Sequence, residues 1–161
     1  ALEHRDSMGN GSVMRPGDVQ RMSAGTGVTH SEYNHSSTAP VHFLQIWLQP
    51  NRLGVDPAYD QKHFPLADRR GHWVALVSPD GQEGSIATHQ DARLFGTLLG
   101  AGETLDYRFD DDRQGYLHLA RGQLQVGNVT LRNGDGLRLQ KHDHLALTGI
   151  EEAEVLLFDL P

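Results

Sequence analysis

Short stretches of alternating apolar and polar residues, separated by turn residues, run along most of the chain. Residues 116–119, 123–126 and 128–131 alternate in this way, with glycine-bearing turns between them. Residues 41–48 are aromatic and branched, and the continuous apolar run at 155–158 fits a buried strand. Helical spacing of apolar residues does not persist over three turns between a cap and a stop anywhere in the sequence. The pattern therefore predicts an all-β protein, a sandwich or barrel of short strands.

An eight-residue pattern occurs twice. Residues 15–22 and 132–139 share the frame Arg-x-Gly-Asp-x-x-Arg-apolar, and each copy follows a predicted hairpin. A Gly-Asp pair suits a tight turn, because glycine adopts a positive φ and aspartate accepts hydrogen bonds from nearby backbone. Pro- and Gly-containing sequence with little periodicity follows the first half. We therefore expect two related β domains, at 1–50 and 65–161, joined by a linker at 51–64.

Composition excludes several classes of protein. The 161 residues contain no cysteine, so disulfide frameworks, thiolate metal sites and cysteine nucleophiles are excluded. A formal net charge of −7 argues against direct binding of nucleic acid or of an anionic membrane surface. No apolar run approaches the roughly 20 residues of a spanning helix, and no targeting pattern opens the chain, so we expect a cytoplasmic protein. Ten histidines leave metal binding and proton transfer as candidate chemistry.

When the alignment of the two repeats is extended toward the C-terminus, the two halves differ in the chemistry of the aligned residues. The first copy reaches His30 and Glu32 where the second reaches Leu147 and Gly149. Residues two apart in a strand point to the same face, so His30 and Glu32 can present an imidazole nitrogen and a carboxylate oxygen side by side. Two donors alone are too few, since a mononuclear site takes three or four. The sequence therefore predicts chemistry in the first half and packing in the second.

Other candidate residues have less distinctive surroundings. Tyr33 and Asn34 follow the predicted donors and are candidates for orienting them. We expect His42 to lie at a strand end and to hydrogen-bond to backbone, rather than to line a pocket near the predicted donors. Phe43 and Trp47 are expected in the core rather than at a substrate. For His4, the sequence identifies no partner.

Residues 22–34, Met-Ser-Ala-Gly-Thr-Gly-Val-Thr-His-Ser-Glu-Tyr-Asn, closely resemble the second metal motif of the pirin family of bicupins. Residues 6–10, 44–47 and 154–161 also look like that family, so the resemblance covers essentially the whole chain. It is greatest to bacterial pirin-like proteins with quercetin 2,3-dioxygenase activity. The resemblance implies two cupin barrels, with one metal in the N-terminal barrel and none in the C-terminal barrel.

The resemblance assigns His30 and Glu32 as two metal ligands and implies two more in a His-x-His pair on strands that precede Leu2. This chain opens inside a predicted strand and has no counterpart of that pair, so we expect an N-terminally truncated protein with an incomplete first barrel. His142-Asp143-His144 has the His-x-His spelling but lies in the second repeat, where a polar turn is the favoured interpretation. The implied metal is a divalent transition metal such as iron, nickel, manganese or copper, absent or weakly bound in this chain.

The activity that the resemblance implies is cleavage of a flavonol ring with O2, in which Glu32 is also a candidate base for the flavonol hydroxyl. We expect this activity of the intact protein and an inactive 161-residue chain. One alternative is an iron-dependent binding partner of transcription regulators, as some pirin relatives are, and another is a structural bicupin of unknown ligand. Only the enzyme consumes quercetin and O2. We further expect a homo-oligomer formed through exposed sheet edges.

Overall fold

The computed structural model describes residues 1–140 and 144–161, which form two compact units. Unit 1 comprises Ala1–Phe64 with Thr88–Gln90, and unit 2 comprises Pro65–Ala87 with Asp91–Pro161. Strands dominate both units, which confirms the prediction of an all-β protein. In the described part of the chain, no helix is long and apolar enough to cross a membrane.

Unit 1 contains five strands in two antiparallel sheets. The strands are β1 (Leu2–Asp6), β2 (Gly11–Met14), β3 (Asp18–Ser23), β4 (His30–Asn34) and β5 (Ala58–His63). The first sheet has the order β2-β1-β4, and the second pairs β3 with β5. Strand β5 lies within the predicted linker at 51–64, so the second part of that segment belongs to a sheet. The division into domains at 1–50 and 65–161 stays a prediction.

Residues 41–48 do not form the strand that their pattern predicts. Phe43, Leu44 and Ile46 are about two-fifths exposed, and Trp47 is 88 % exposed. The expectation of Phe43 and Trp47 in the core is therefore wrong. A strand needs a neighbouring edge to pair its backbone N–H and C=O groups, and no described strand pairs with this segment. The side-chain pattern shows that residues 41–48 have a composition typical of strands, but it does not show which strand they would pair with.

Unit 2 contains ten strands in a six-stranded and a four-stranded sheet. The strands are β6 (Val74–Ser78), β7 (Ile86–Ala87), β8 (Arg93–Leu99), β9 (Thr104–Arg108), β10 (Gln114–Arg121), β11 (Gln123–Val126), β12 (Val129–Arg132), β13 (Gly136–Leu139), β14 (His144–Gly149) and β15 (Ala153–Leu160). Short 3-10 helices span Leu66–Arg69 and Gln82–Gly84. The sheet orders are β13-β10-β15-β8-β6-β7 and β12-β11-β14-β9. Only the β6–β7 pair is parallel among the described ladders.

The core of unit 2 is an aliphatic cluster contributed by both of its sheets. Leu117 and Leu157 come from the six-stranded sheet, and Leu124 and Leu145 come from the four-stranded sheet. Each of these side chains is at most 1 % exposed. Inward-facing leucines therefore fill the space between the sheets, as in a packed β-sandwich.

The repeated Gly-Asp turns have the same hydrogen bonds in both units. The turn residues are Arg15, Gly17 and Asp18 in the first copy and Arg132, Gly134 and Asp135 in the second. In each copy the aspartate Oδ2 accepts from the arginine backbone N, at 2.7 Å in the first and 2.8 Å in the second. The glycine φ is +96° in the first copy and +89° in the second, a range that favours glycine. The predicted turn chemistry is confirmed in both places.

Candidate functional site

Four polar side chains share one face of the sheet formed by β1 and β4. In this antiparallel pair Asp6 lies opposite His30, and His4 lies opposite Glu32. The His30 ring stacks on the His4 ring with centroids 5.7 Å apart, and Glu32 Oε1 lies 3.7 Å from His4 Nδ1. His30 and Glu32 therefore project to the same side of the backbone, although His30 is exposed and Glu32 is partly buried. Their role as metal ligands stays a prediction.

His4 lies at the centre of this face and is fully buried. Its Nε2 is 3.3 Å from Asp6 Oδ2, and its ring also stacks on Tyr59 with centroids 4.7 Å apart. Its Nδ1, directed toward Glu32, has no hydrogen-bond partner among the described residues. Sequence reasoning gave His4 no partner, although its alternation with Asp6 in a predicted strand was a usable signal.

Asp6 fixes one side of the His4 imidazole and is itself held by the following turn. Its carboxylate accepts from the backbone N of Met8 at 2.9 Å and from the backbone N of Asn10 at 3.0 Å. The Asn10 side-chain amide donates to Asp6 Oδ2 at 2.8 Å. Burial alone would raise the pKa of Asp6, but these hydrogen bonds and the one with His4 outweigh burial and lower the pKa. Asp6 is therefore an ionised acceptor for His4 Nε2–H near neutral pH.

Glu32 is engaged from the other side by a residue of β3. Gln20 Nε2 donates to Glu32 Oε1, and Gln20 Oε1 in turn accepts from the Tyr59 hydroxyl at 3.1 Å. The same hydroxyl lies 2.7 Å from Ser12 Oγ and 2.8 Å from Gln61 Oε1. Burial raises the pKa of Tyr59 despite the lowering effect of the Ser12 hydrogen bond, so the hydroxyl stays protonated at neutral pH. None of these contacts involves Glu32 Oε2.

The other predicted site residues lie elsewhere. Tyr33 is 64 % exposed and, by alternation, faces away from Glu32. The Asn34 amide donates to the Ala39 carbonyl at 2.8 Å, and its Oδ1 accepts from the Ser36 backbone. Gln20 and His4, rather than Tyr33 and Asn34, therefore contact Glu32. His42 is exposed and lies outside the described strands.

The His-x-His spelling in the second repeat is described only at its last residue. His144 begins β14, is about half exposed, and its Nε2 lies 3.7 Å from Asp106 Oδ1. His142 and Asp143 lie outside the described residues. The interpretation of this segment as a polar turn therefore stays a prediction.

The Gly25-Thr26-Gly27 turn approaches backbone rather than open space. The backbone N of Thr26 donates to the Val55 carbonyl at 3.1 Å. A Cβ on Gly25 would lie 2.3 Å from the Val55 oxygen and 2.7 Å from the Pro57 nitrogen, and Gly25 has a φ of +54°. The backbone N of Gly27 donates to the Ala24 carbonyl at 2.8 Å, so the segment forms a turn that lies against the chain just before β5.

We expect Gly25→Ala to lower the free energy of unfolding by about 1–3 kcal/mol, because it combines a backbone clash with a strained positive φ. Urea denaturation followed by circular dichroism measures the change. Gly9→Ala is a matched control, since it has a φ of +94° but no atom within 4 Å of the added Cβ. Equal losses of unfolding free energy in the two variants would show that the clash with the Val55 backbone does not contribute to the destabilisation.

The ladder of unit 2 places apolar residues at the positions of this polar face. The repeated turn equates Met14 with Leu131, and these residues lie opposite Leu2 and Leu124 respectively. Continuing through β11 and β14, Val126 takes the place of His4, while Leu145 and Leu147 take the places of His30 and Glu32. The gap-free overlay of the sequence, which equated Leu147 and Gly149 with them, is therefore displaced by two residues.

The donor chemistry of the polar face fits part of a metal site. An imidazole and a carboxylate on one side of β4 are donors suited to a divalent transition metal, and a buried imidazole nitrogen without a partner faces the same carboxylate. Within residues 1–140 and 144–161, no group of three or more His, Asp or Glu side chains is arranged to hold an ion. His30 and Glu32 thus fit as two of the three or four donors that such a site takes.

Comparisons with known proteins match both units. A model described as pirin matches residues 1–48, and one described as the quercetinase C-terminal cupin domain matches residues 75–160. The chain is 36 % identical over 160 residues to a quercetin 2,3-dioxygenase of Escherichia coli K12, covering 99 % of this chain and 68 % of that protein. A pirin-like protein of Caulobacter vibrioides is 38 % identical over 160 residues, with the same coverage.

A solved structure agrees with these matches. The bacterial pirin YhhW from Escherichia coli, in complex with nickel(II), superimposes with a TM-score of 0.90 at 36 % identity, covering 99 % of this chain and 68 % of that one. Fold and repeat together define the class as a bicupin, as the sequence predicted. Within that class the chain belongs to the pirin family.

Proposed function

We propose that the protein is a pirin-type dioxygenase that cleaves a flavonol-like aromatic substrate with O2, and that His30 and Glu32 supply two of its metal ligands. The observation that carries the proposal is the polar face of β1 and β4, where both residues project to one side around the buried His4. The E. coli relative named quercetin 2,3-dioxygenase and the nickel(II) complex of YhhW support the substrate class and a divalent metal.

His30 and Glu32 would hold the metal through an imidazole nitrogen and a carboxylate oxygen. Oε2 is the oxygen suited to this role, because Oε1 already accepts from Gln20. When bound, a divalent transition metal such as iron, nickel, manganese or copper supplies a Lewis acid for the substrate hydroxyl oxygen. The pirin resemblance implies two further imidazole ligands from a His-x-His pair on strands preceding Leu2.

Glu32 also has the chemistry of a proton acceptor for the flavonol hydroxyl. A carboxylate oxygen held close to a substrate hydroxyl can accept its proton as a general base. Gln20 holds one carboxylate oxygen, so the orientation of the other toward a substrate is defined. Oε2 is therefore the oxygen available for either role, as a metal ligand or as the proton acceptor.

Metal analysis tests the donor count directly. Because the described residues supply two donors, we expect the 161-residue chain to retain far less than one nickel, iron, manganese or copper ion per chain after dialysis. Inductively coupled plasma mass spectrometry measures the content. One tightly held ion per chain would show that the assignment of only two donors is wrong.

The activity is tested with the protein expressed from its full-length gene and loaded with each of the four metals. Quercetin loss, followed by absorbance, should match O2 uptake in an oxygen electrode with at least one metal. His30→Ala should abolish both signals. If no metal supports consumption of quercetin or a related flavonol, the dioxygenase proposal is wrong.

A further inference from the structure

We propose that Tyr59 and Gln20 are positioning residues for Glu32. The Tyr59 hydroxyl orients the Gln20 amide, and the Gln20 Nε2–H then holds Glu32 Oε1, which leaves Oε2 for the metal or the substrate proton. The role of Oε2 in this inference rests on the proposed function. The positioning of Glu32 by Gln20 and Tyr59 rests only on the hydrogen bonds of the structure. It assigns a role to β5, which the sequence pattern had placed in a linker.

The direction of the Gln20 amide follows from the acceptors around it. Glu32 is acceptor-only when ionised, so the opposite amide orientation would set Gln20 Oε1 against Glu32 Oε1. The Tyr59 hydroxyl lies 3.1 Å from Gln20 Oε1 and 2.8 Å from Gln61 Oε1, so these two acceptors share its single proton. The part donated to Gln20 Oε1 favours the amide orientation that Glu32 requires. Both ends of the amide are therefore matched to their partners.

Tyr59 is itself held on two sides. Its ring stacks on the buried His4 ring at an interplanar angle of 21°, and its hydroxyl lies 2.7 Å from Ser12 Oγ. Strand pairing places Tyr59 opposite Met22 in the β3–β5 ladder. Three strands, β1, β2 and β5, thereby fix the hydroxyl that orients the Gln20 amide on β3.

The other unit lacks this arrangement at the corresponding position. The repeated turn equates Gln20 with Leu137, a partly buried apolar residue that packs against the leucine core. Leu147, which replaces Glu32, is 1 % exposed in that core. The glutamine and its glutamate partner are thus replaced together by apolar residues, as expected if the amide acts on the carboxylate.

The first arm of the test measures the Gln20 amide by NMR in the 161-residue chain. Tyr59→Phe keeps the ring stacked on His4 and removes only the hydroxyl. We expect the Gln20 side-chain amide protons to exchange with solvent about tenfold faster in Tyr59→Phe, because the hydrogen bond that orients the amide is lost. Tyr33→Phe, at an exposed tyrosine, is the matched control and should leave the rate unchanged. An unchanged rate in Tyr59→Phe would overturn the proposal.

The second arm measures nickel(II) affinity of the protein expressed from its full-length gene, in a double-mutant cycle with Glu32→Gln. Loss of a residue that orients a ligand typically weakens metal binding about ten- to hundredfold, so Tyr59→Phe and Gln20→Leu should each weaken it by that amount. Neither change should alter affinity more than about twofold in the Glu32→Gln background, because the positioned group is gone. Equal losses in both backgrounds would overturn the positioning role. Absence of nickel binding in the unmodified protein from the full-length gene would count against the metal role of His30 and Glu32, and the amide exchange would then decide the positioning.

Discussion

The Arg113→Met variant is expected to lose about 3 kcal/mol of unfolding free energy, because the buried Asp159 carboxylate keeps only the more distant Arg93 guanidinium, 3.9 Å away, as a cationic partner. Arg113 Nε donates to Asp159 Oδ1 at 2.5 Å, and its Nη2 donates to the Asp159 carbonyl at 2.9 Å. The Asp159 side chain is only 1 % exposed. Tyr107 also donates to this carboxylate, but a neutral hydroxyl does not neutralise its charge. Urea denaturation of the 161-residue chain measures the loss.

Two further variants separate the buried charge from other effects. Arg138→Met makes the same substitution at an exposed residue whose side chain, among the described residues, has one hydrogen bond of 3.4 Å to Gln114, and it should change stability by less than about 0.5 kcal/mol. Adding Asp159→Leu to Arg113→Met removes both charges and should recover much of the loss. A loss below 1 kcal/mol in Arg113→Met alone would contradict this account.

Local sequence patterns predicted the turns and the orientation of the candidate site. Gly17 and Asp18 specify a turn through properties of two adjacent residues, namely a positive φ and a side-chain acceptor. His30 and Glu32 share a face because alternation depends only on the strand to which both belong. These features require no knowledge of distant residues, which is why the sequence predicted them.

Features that depend on strand pairing were not accessible in this way. His4 meets Glu32 through the β1–β4 register, and Tyr59 meets Gln20 across the β3–β5 pair, with sequence separations of 28 and 39 residues. Tyr59 lies in a segment whose neighbouring prolines and glycines indicated a linker. Composition describes what a segment can form, whereas the partner strand decides whether it does.

The two units show how one scaffold separates packing from chemistry. Both contain the same turn and the same three-strand ladder. In unit 1, His30 follows the turn aspartate Asp18 by 12 residues. In unit 2, the structurally equivalent Leu145 follows the turn aspartate Asp135 by 10 residues. Because of this difference, the gap-free overlay was displaced by two residues. The residues of unit 2 that correspond to His30 and Glu32 are apolar in either alignment, so the prediction that the polar site lies in the first half is unchanged. The homo-oligomer predicted from exposed edges stays a prediction.

Replacing Glu32 by glutamine is expected to lower kcat/KM for quercetin about 10³-fold in the metal-loaded protein expressed from its full-length gene. Glutamine preserves the size of the side chain and can still meet Gln20, but it neither accepts a proton nor contributes a negative charge to a metal. Its amide would also place a neutral group beside His4 Nδ1, which leaves Asp6 as the remaining carboxylate next to that imidazole. Steady-state measurement of quercetin loss and O2 uptake tests the expectation.

Glu3→Gln is the matched control for this experiment. Glu3 lies on the same sheet, one position from His4 and on the opposite face, where its carboxylate binds Arg5 and His35. The variant should therefore keep kcat/KM within about twofold of the unmodified protein, since it removes a carboxylate without touching the polar face. A Glu32→Gln enzyme that retains more than a tenth of the activity would show that neither proton transfer nor ligation depends on this carboxylate. The dioxygenase would then need a different base, and His4, the buried imidazole beside Glu32, would be the next residue to replace.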